Sequence, residues 1–286
     1  MKLLISLECL MLLTTLLTAK QNISTLDHAI AWNGVTYNAN SSLQYNLDKV
    51  ALTKITFTGS ERVLDLGCGD GAITALIATK VPQGSVIGSD CAHGMIEFAQ
   101  STYASQISNL SFTTSYIENI TYKNEFDVVT SFCTLHWISD LPKAFSNIYT
   151  ALKPGGRTLL FFPIAHDNIW YTQLADTVAQ ATWRNSFEKN KTFPINQQIT
   201  NEYLRGLCKQ TGFVAFDVHN GTTPYTFPTV DAFKSSFRGN TWFKAVPTKH
   251  QEEFLNDLVT RVLAYDKPID NTCTIYHAFV TILATK

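Results

Sequence analysis

The sequence predicts an α/β protein: a doubly wound, mostly parallel sheet of seven strands with an inserted helical lid. Three observations carry that expectation. Short apolar runs suited to strands alternate with helix-like runs from Val63 to Phe162, the order that builds a parallel sheet through crossover connections. Glycines at alternate positions, Gly67, Gly69 and Gly71, join the first strand of that series to its first helix, and so tight a turn lets a ligand touch bare backbone. From Pro163 to Asn201 the alternation gives way to aromatic residues at helical spacing, Trp170, Tyr171, Trp183 and Phe187, as expected of an insertion over the sheet.

The chain has 286 residues, is 45% hydrophobic and carries a net charge of -1. One domain over 30–286 is expected, with lid segments around 163–201 and 220–265. Near neutrality without a basic stripe argues against nucleic acid as a partner. The six cysteines, at 9, 68, 91, 133, 208 and 273, form no CxxC pair, so neither a metal site nor a disulfide framework is expected. Met1 to Lys20 looks like a secretory leader, with Lys2 before a Leu-rich run. Glu8 interrupts that run, and the apolar stretch after it is short for a membrane span.

In order along the chain, Trp32-Asn33-Gly34-Val35-Thr36-Tyr37 precedes a helix with Leu43, Tyr45, Leu47, Val50 and Leu52 on one face. Val63 to Leu66 is the first strand, and Ala72 to Lys80 the helix after the glycine turn, burying Ala75, Leu76 and Ala78. No Lys-Ser/Thr pair follows the glycines, so the turn is not a P-loop; Asp65, two residues ahead of Gly67, suits an ammonium group better than a pyrophosphate. Val86-Ile87-Gly88-Ser89-Asp90 is a second strand ending in an acid, which can accept hydrogen bonds from two ribose hydroxyls. Two acids so placed specify a nucleoside with a cationic tail. Gly94 to Ser105 reads as a helix burying Met95, Ile96 and Ala99, Leu110 to Thr114 as the third strand and Phe126 to Phe132 as the fourth. Leu152-Lys153-Pro154-Gly155-Gly156-Arg157 turns the chain into the fifth strand, ending at Phe162. A helix then runs from Asn201 to Gly212, the sixth strand from Phe213 to Val218, an amphipathic helix from Thr248 to Ala264, and a seventh, hairpin-paired strand from Cys273 to Ala284.

These motifs, in this order, resemble the class I S-adenosylmethionine-dependent methyltransferases and their Rossmann-like fold. The Trp32 to Tyr37 segment, the loop Leu135-His136-Trp137-Ile138-Ser139-Asp140 and the stretch Phe233 to Phe243 resemble the trans-aconitate and malonyl-carrier carboxyl methyltransferases. The resemblance implies S-adenosyl-L-methionine as cofactor. Asp65, Gly67, Cys68 and Gly69 would hold its amino-acid end, Asp90 its ribose and Met95 its adenine, with Ser131 at the end of the fourth strand also against it. Tyr37 would approach the sulfonium, a contact worth roughly 0.5–2 kcal/mol. Tyr116 stands where the family commonly has an Asp that accepts the adenine amino group. Either the backbone at Tyr116 and Ile117 reads the base, or the Tyr116 ring stacks on it. His136 and Trp137 would bind the acceptor and face its chemistry, and Arg238 would clamp a carboxylate bidentately.

The reaction so implied is methyl transfer to a carboxylate oxygen of a small organic acid. Such an oxygen is ionised at neutral pH and needs alignment in a dry pocket more than a strong base. Methylation of a carbon or oxygen of a quinone or lipid-like acceptor is the alternative, as is a non-catalytic nucleoside-binding protein of the same fold. Because the cofactor is made and kept inside cells, a cytoplasmic location is expected; no stable membrane span is expected, and the oligomeric state is open with a monomer favoured. Export or membrane association through residues 1–20 is the alternative.

Overall fold

The computed structural model describes residues 32–164, 168–178, 180, 182–184, 199–238, 243, 246–265 and 271–286. The leader at 1–20 and Phe187 lie outside them. β1 (Arg62–Leu66) is the apolar run ahead of the glycine turn. Val63, Leu64 and Leu66 are each fully buried, the pattern of a strand covered on both faces of a parallel sheet. Around it stand β2 (Ser85–Asp90), β3 (Leu110–Thr114), β4 (Phe126–Phe132), β5 (Leu152–Pro163), β6 (Ala215–Phe227) and β7 (Cys273–Thr285). Among the described residues they form one seven-stranded sheet in the order β3-β2-β1-β4-β5-β7-β6, with β7 antiparallel to both its neighbours. The strand order reverses between β1 and β4. A crevice therefore opens at the carboxyl ends of these strands, where ligands of doubly wound sheets bind.

Two helical layers cover the sheet. On one face lie α2 (Ser42–Leu52), α3 (Ala72–Lys80), α4 (His93–Ala99), α6 (Ile169–Val178), α8 (Val230–Arg238) and α9 (Gln251–Tyr265). The other face carries α5 (Leu141–Ala151) and α7 (Asn201–Thr211). A short α1 (Gly34–Asn38) precedes them, capped by the Asn33 side chain, which accepts from Thr36 N at 3.0 Å. A Cβ at Gly34 would lie 2.4 Å from Phe98 Cβ, so glycine lets α1 lie directly on α4. Among the described residues, no helix is long and apolar enough to cross a membrane.

Three details differ from the sequence reading. The buried side of α2 is Leu43, Leu47, Asp48, Ala51 and Leu52, and Val50 is exposed; the helical period carries Asp48, not Val50, onto the inner face. On α3, Ile73 and Ile77 are buried with Ala75 and Ala78, whereas Leu76 is half-buried. β6 does not stop at Val218 but runs through Gly221 and Pro224 to Phe227. Both residues read as breakers, yet β6 pairs only with β7 among the described residues, and an edge strand tolerates a residue without an N–H. The next helix begins at Val230. Phe279 is paired with Pro163, the last residue of β5, and Ala278 O still accepts from Ile164 N, so among the described residues Cys273 to His277 pair with Thr223 to Phe227 alone. That two-stranded ribbon extends beyond the edge of the sheet, on the side of the crevice.

Candidate active site

The glycine turn shapes the first part of the crevice. Gly67, Gly69 and Gly71 all adopt positive φ, at 72°, 54° and 83°, a region that side chains disfavour. The turn folds back so that Gly67 N and Cys68 N both donate to Ser89 O. Asp90 is tied to it: Oδ2 accepts from Gly69 N at 2.9 Å and Oδ1 from Ala92 N at 2.8 Å. A Cβ on Gly69 would meet nothing nearer than Tyr37 Cε1 at 3.8 Å, so its backbone faces open space.

Asp65 is buried, and both its oxygens are engaged. Thr74 Oγ1 donates at 2.6 Å and Thr130 Oγ1 at 2.7 Å. Burial nevertheless pushes its carboxyl up to about 6, and Asp90 is raised by the same cause. Asp70 completes the group, accepting from Asn38 Nδ2 at 2.9 Å. Asp48, Asp65 and Asp70 line a small cavity with Gly67, Cys68 and Gly69, and none of its described lining residues is a Lys, Arg or His. Buried carboxylates without a counter-cation lack their usual partner. The arrangement fits a ligand with a positive charge and donors for Asp90.

A larger cavity of about 220 Å³ adjoins it, with Tyr37, Gln44, Gly67, Gly69 and Phe132 common to both walls. Asp90, Met95 and Tyr116 line it on the β2 and β3 side. The loop after β4 supplies its centre. Cys133 there takes φ 48°, unusual for a residue with a side chain. Its thiol donates to Asp48 Oδ1 at 3.2 Å, and burial pushes both groups well up; a neutral, half-buried thiol is no nucleophile. Thr134 Oγ1 then reaches the carbonyls of Phe132 at 2.8 Å and Gly67 at 3.1 Å, binding the loop to the glycine turn. The tight helical turn Leu135–Trp137 follows. It places His136 and Trp137 on the cavity wall with ring centroids 5.0 Å apart. Trp32 meets Trp137 edge-on at 6.1 Å and Tyr37 at 5.5 Å, closing an aromatic corner beside the glycines.

Three residues expected at the site stand elsewhere. Ser131 is buried within β4, where its hydroxyl donates to Leu66 O at 2.8 Å and joins the two strands. Ile117 belongs to the core on the opposite face of the sheet, and its carbonyl accepts from Asn147 Nδ2 at 2.9 Å. Arg238 is exposed at the end of α8, where it donates to Ser235 Oγ at 2.9 Å and lies 3.6 Å from Glu252. The inner face of that helix presents Phe233 and Phe237, which do line the cavity; a residue one position past Phe237 turns outward by the helical period.

The sequence reading missed several wall residues. Gln44 stands between the two cavities, with its Oε1 buried and without a hydrogen-bond partner among the described residues. Tyr171 on α6, Phe227 on β6 and Ile275, His277 and Phe279 on β7 close the far end. Alternate positions on β7 share one face, which is the only sequence signal that could have marked the last three.

A family model described as a methyltransferase domain matches residues 58–217. The chain is 29% identical over 224 residues to a juvenile hormone acid O-methyltransferase of Bombyx mori, covering 76% of this chain and 78% of that one. It is 28% identical over 204 residues to a malonyl-[acyl-carrier protein] O-methyltransferase of Bacillus cereus, covering 70% and 72%. Among solved structures, a phosphoethanolamine N-methyltransferase of Haemonchus contortus in complex with S-adenosyl-L-methionine superposes with a TM-score of 0.56 at 19% identity, covering 85% of this chain and 52% of that one. Fold, crevice and sequence agree, and the chain belongs to the methyltransferase-domain family, as an S-adenosylmethionine-dependent enzyme.

Proposed function

We propose that the protein methylates a carboxylate oxygen of an organic acid whose body is apolar. The observation that carries this reading is the contrast within one crevice. Acids without a counter-cation gather around the glycine turn, while the other end is walled by Tyr171, Phe227, Phe233, Phe237 and Phe279. S-adenosylmethionine supplies an electrophilic methyl group on a sulfonium. Asp65 and Asp70 balance the positive charge of its amino-acid end, and Asp90 has lone pairs left for ribose hydroxyls. Met95 and the Tyr116 ring cover its base. Trp32, Tyr37 and Trp137 offer aromatic faces to the cation.

The acceptor enters across Trp137 and His136. Gln44, at the junction of the two cavities, donates its amide N–H to one carboxylate oxygen and leaves the other directed at the methyl group. Among the described lining residues there is no Lys or Arg to hold the carboxylate in an unreactive ion pair. The aromatic walls exclude water, and the opposite charges of acceptor and donor cancel as the bond forms, which a dry cavity favours. No base is required because the oxygen is already ionised. The two curated relatives are named for carboxyl acceptors, which accords with this chemistry.

Transfer of label from methyl-labelled S-adenosylmethionine tests the reading, with fatty acids, dicarboxylic acids, phenols and quinone precursors offered in parallel. The expected product is an ester of an apolar acid, releasing volatile labelled methanol in base. Base-stable label on a phenol or a quinone precursor would replace the reading with methylation at those centres.

A further inference from the structure

Glu118 is an acid in the wall of the large cavity to which the site described above gives no task. β3 gives way to the short helical turn Ile117–Asn119, and Ser115 N, just ahead of it, donates to Asp90 O at 2.9 Å. The turn therefore starts directly beside the acid at the end of β2. It buries Ile117 in the core on the opposite face of the sheet and leaves Glu118 on the cavity wall with Cys91, Met95 and Tyr116. Glu118 is half-buried, and its Oε2 is buried without a hydrogen-bond partner among the described residues. No Lys or Arg lines the cavity among those residues. Its neighbours feel its charge: burial, then Asp90 and Glu118, raise the Cys91 thiol, and burial, then Cys91 and Glu118, raise the Tyr116 hydroxyl.

The backbone carbonyls beside it are already engaged. That of Tyr116 accepts from Asn119 N at 3.0 Å and from Ser115 Oγ at 3.3 Å, which occupies both its lone pairs. That of Ile117 accepts from Asn147 Nδ2 on the far face of the sheet. A base whose ribose sits at Asp90 and whose face lies on Met95 thus meets, in the Glu118 carboxyl, an acceptor still without a donor. Along its edge adenine offers ring-nitrogen acceptors and, as donors, only the N–H bonds of its 6-amino group. A carboxylate is repelled by the first and pairs with the second in a charge-assisted bond. The terminal bond of a glutamate turns in a broad, two-fold well, so either oxygen can be presented. A buried acceptor oxygen that finds no donor costs stability.

We propose that Glu118 accepts a hydrogen bond from the 6-amino group of the cofactor's adenine, in place of the Asp that is missing at Tyr116. The base is then read two residues later in the chain than in the pattern this sequence resembles, by a side chain one carbon longer. Tyr116 is left to cover the face of the ring. The assignment rests on Asp90 holding the ribose, as argued above, and is independent of which acceptor is methylated.

The test is calorimetric binding of two ligands to the full chain: S-adenosylhomocysteine, and its analogue with hydrogen in place of the 6-amino group. The amino ligand is expected to bind about thirtyfold tighter. Glu118→Leu should cut that preference to within about threefold by weakening the amino ligand alone. Glu118→Gln, which keeps a neutral acceptor oxygen, should retain part of it. The analogue, measured on every variant, separates loss of this hydrogen bond from loss of the fold. The proposal is overturned if the native protein binds both ligands alike, if the preference survives in Glu118→Leu, or if that variant weakens both ligands equally. Asp90→Ala should weaken both ligands and leave the preference in place; unchanged binding there would reject the ribose placement and the proposal with it.

Discussion

The two ends of the crevice are built by opposite means. At the β1 and β2 end most of the machinery comes from one continuous stretch, Asp65 to Met95, joined by Tyr37, Asp48 and the Thr130 hydroxyl. Its acids are fastened before any ligand arrives, Asp65 by two hydroxyls and Asp90 by two backbone N–H groups. At the β5 and β7 end the wall is collected from α2, α6, β6, α8 and β7, and is mostly rings in contact. The first end holds charge in a fixed geometry, which resists change because each part is bonded to the next. The second offers shape and dryness, which many combinations of apolar residues can supply. A constant cofactor and a variable acceptor are suited by that division.

The largest effect should come from breaking the fixed end. Asp90→Ala removes an acceptor for the ribose and frees Gly69 N and Ala92 N, and cofactor affinity should fall about a hundredfold by calorimetry. A loss below about threefold would mean that the charged end does not hold the cofactor. A smaller effect, specific to the same end, follows from pH. A cation beside Asp65 favours its ionised form, so binding lowers that carboxyl from about 6 and releases a proton. Affinity should therefore be full above pH 6 and decline by up to about tenfold per unit as pH falls through that value. Equal affinity at pH 5 and 7.5 would show that Asp65 does not feel the ligand's charge. The smallest effect is expected at Arg238. Its exposed contact with Glu252 is worth little, so Arg238→Ala should change acceptor KM by less than about twofold; a tenfold rise would bring its side chain to the acceptor after all.

How well each end could be read from sequence follows from the same contrast. Gly67, Gly69, Asp65 and Asp90 announce themselves because the chemistry sits within one strand, turn and strand, and the spacing is the geometry. The succession of strands along the chain was likewise legible in the alternation of apolar runs. Ser131 was misplaced by a single step, since a residue near the end of a strand looks toward the ligand or into the sheet according to the pleat, and Ile117 because the short helical turn after β3 carries it into the core on the other face. Arg238 drew notice through the resemblance of the stretch Phe233 to Phe243, and the helical period took it outward. Gln44 carried no local signal, Tyr171 only that of an aromatic in the inserted stretch, and His277 only that of an alternate place on its strand. They become neighbours only when α2, α6 and β7 meet over the sheet, and that depends on contacts between residues far apart in the chain.

The position of β7 sets the order in which these two ends come into being. It follows every other strand in the sequence yet lies inside the sheet, between β5 and β6. During synthesis the glycine turn and its acids can assemble while β6 still has no neighbour to pair with. Pairing over such long separations is slow to form. A nascent chain can thus acquire a place for the methyl donor well before it has one for the methyl acceptor, and transfer begins only when the last strand slides in.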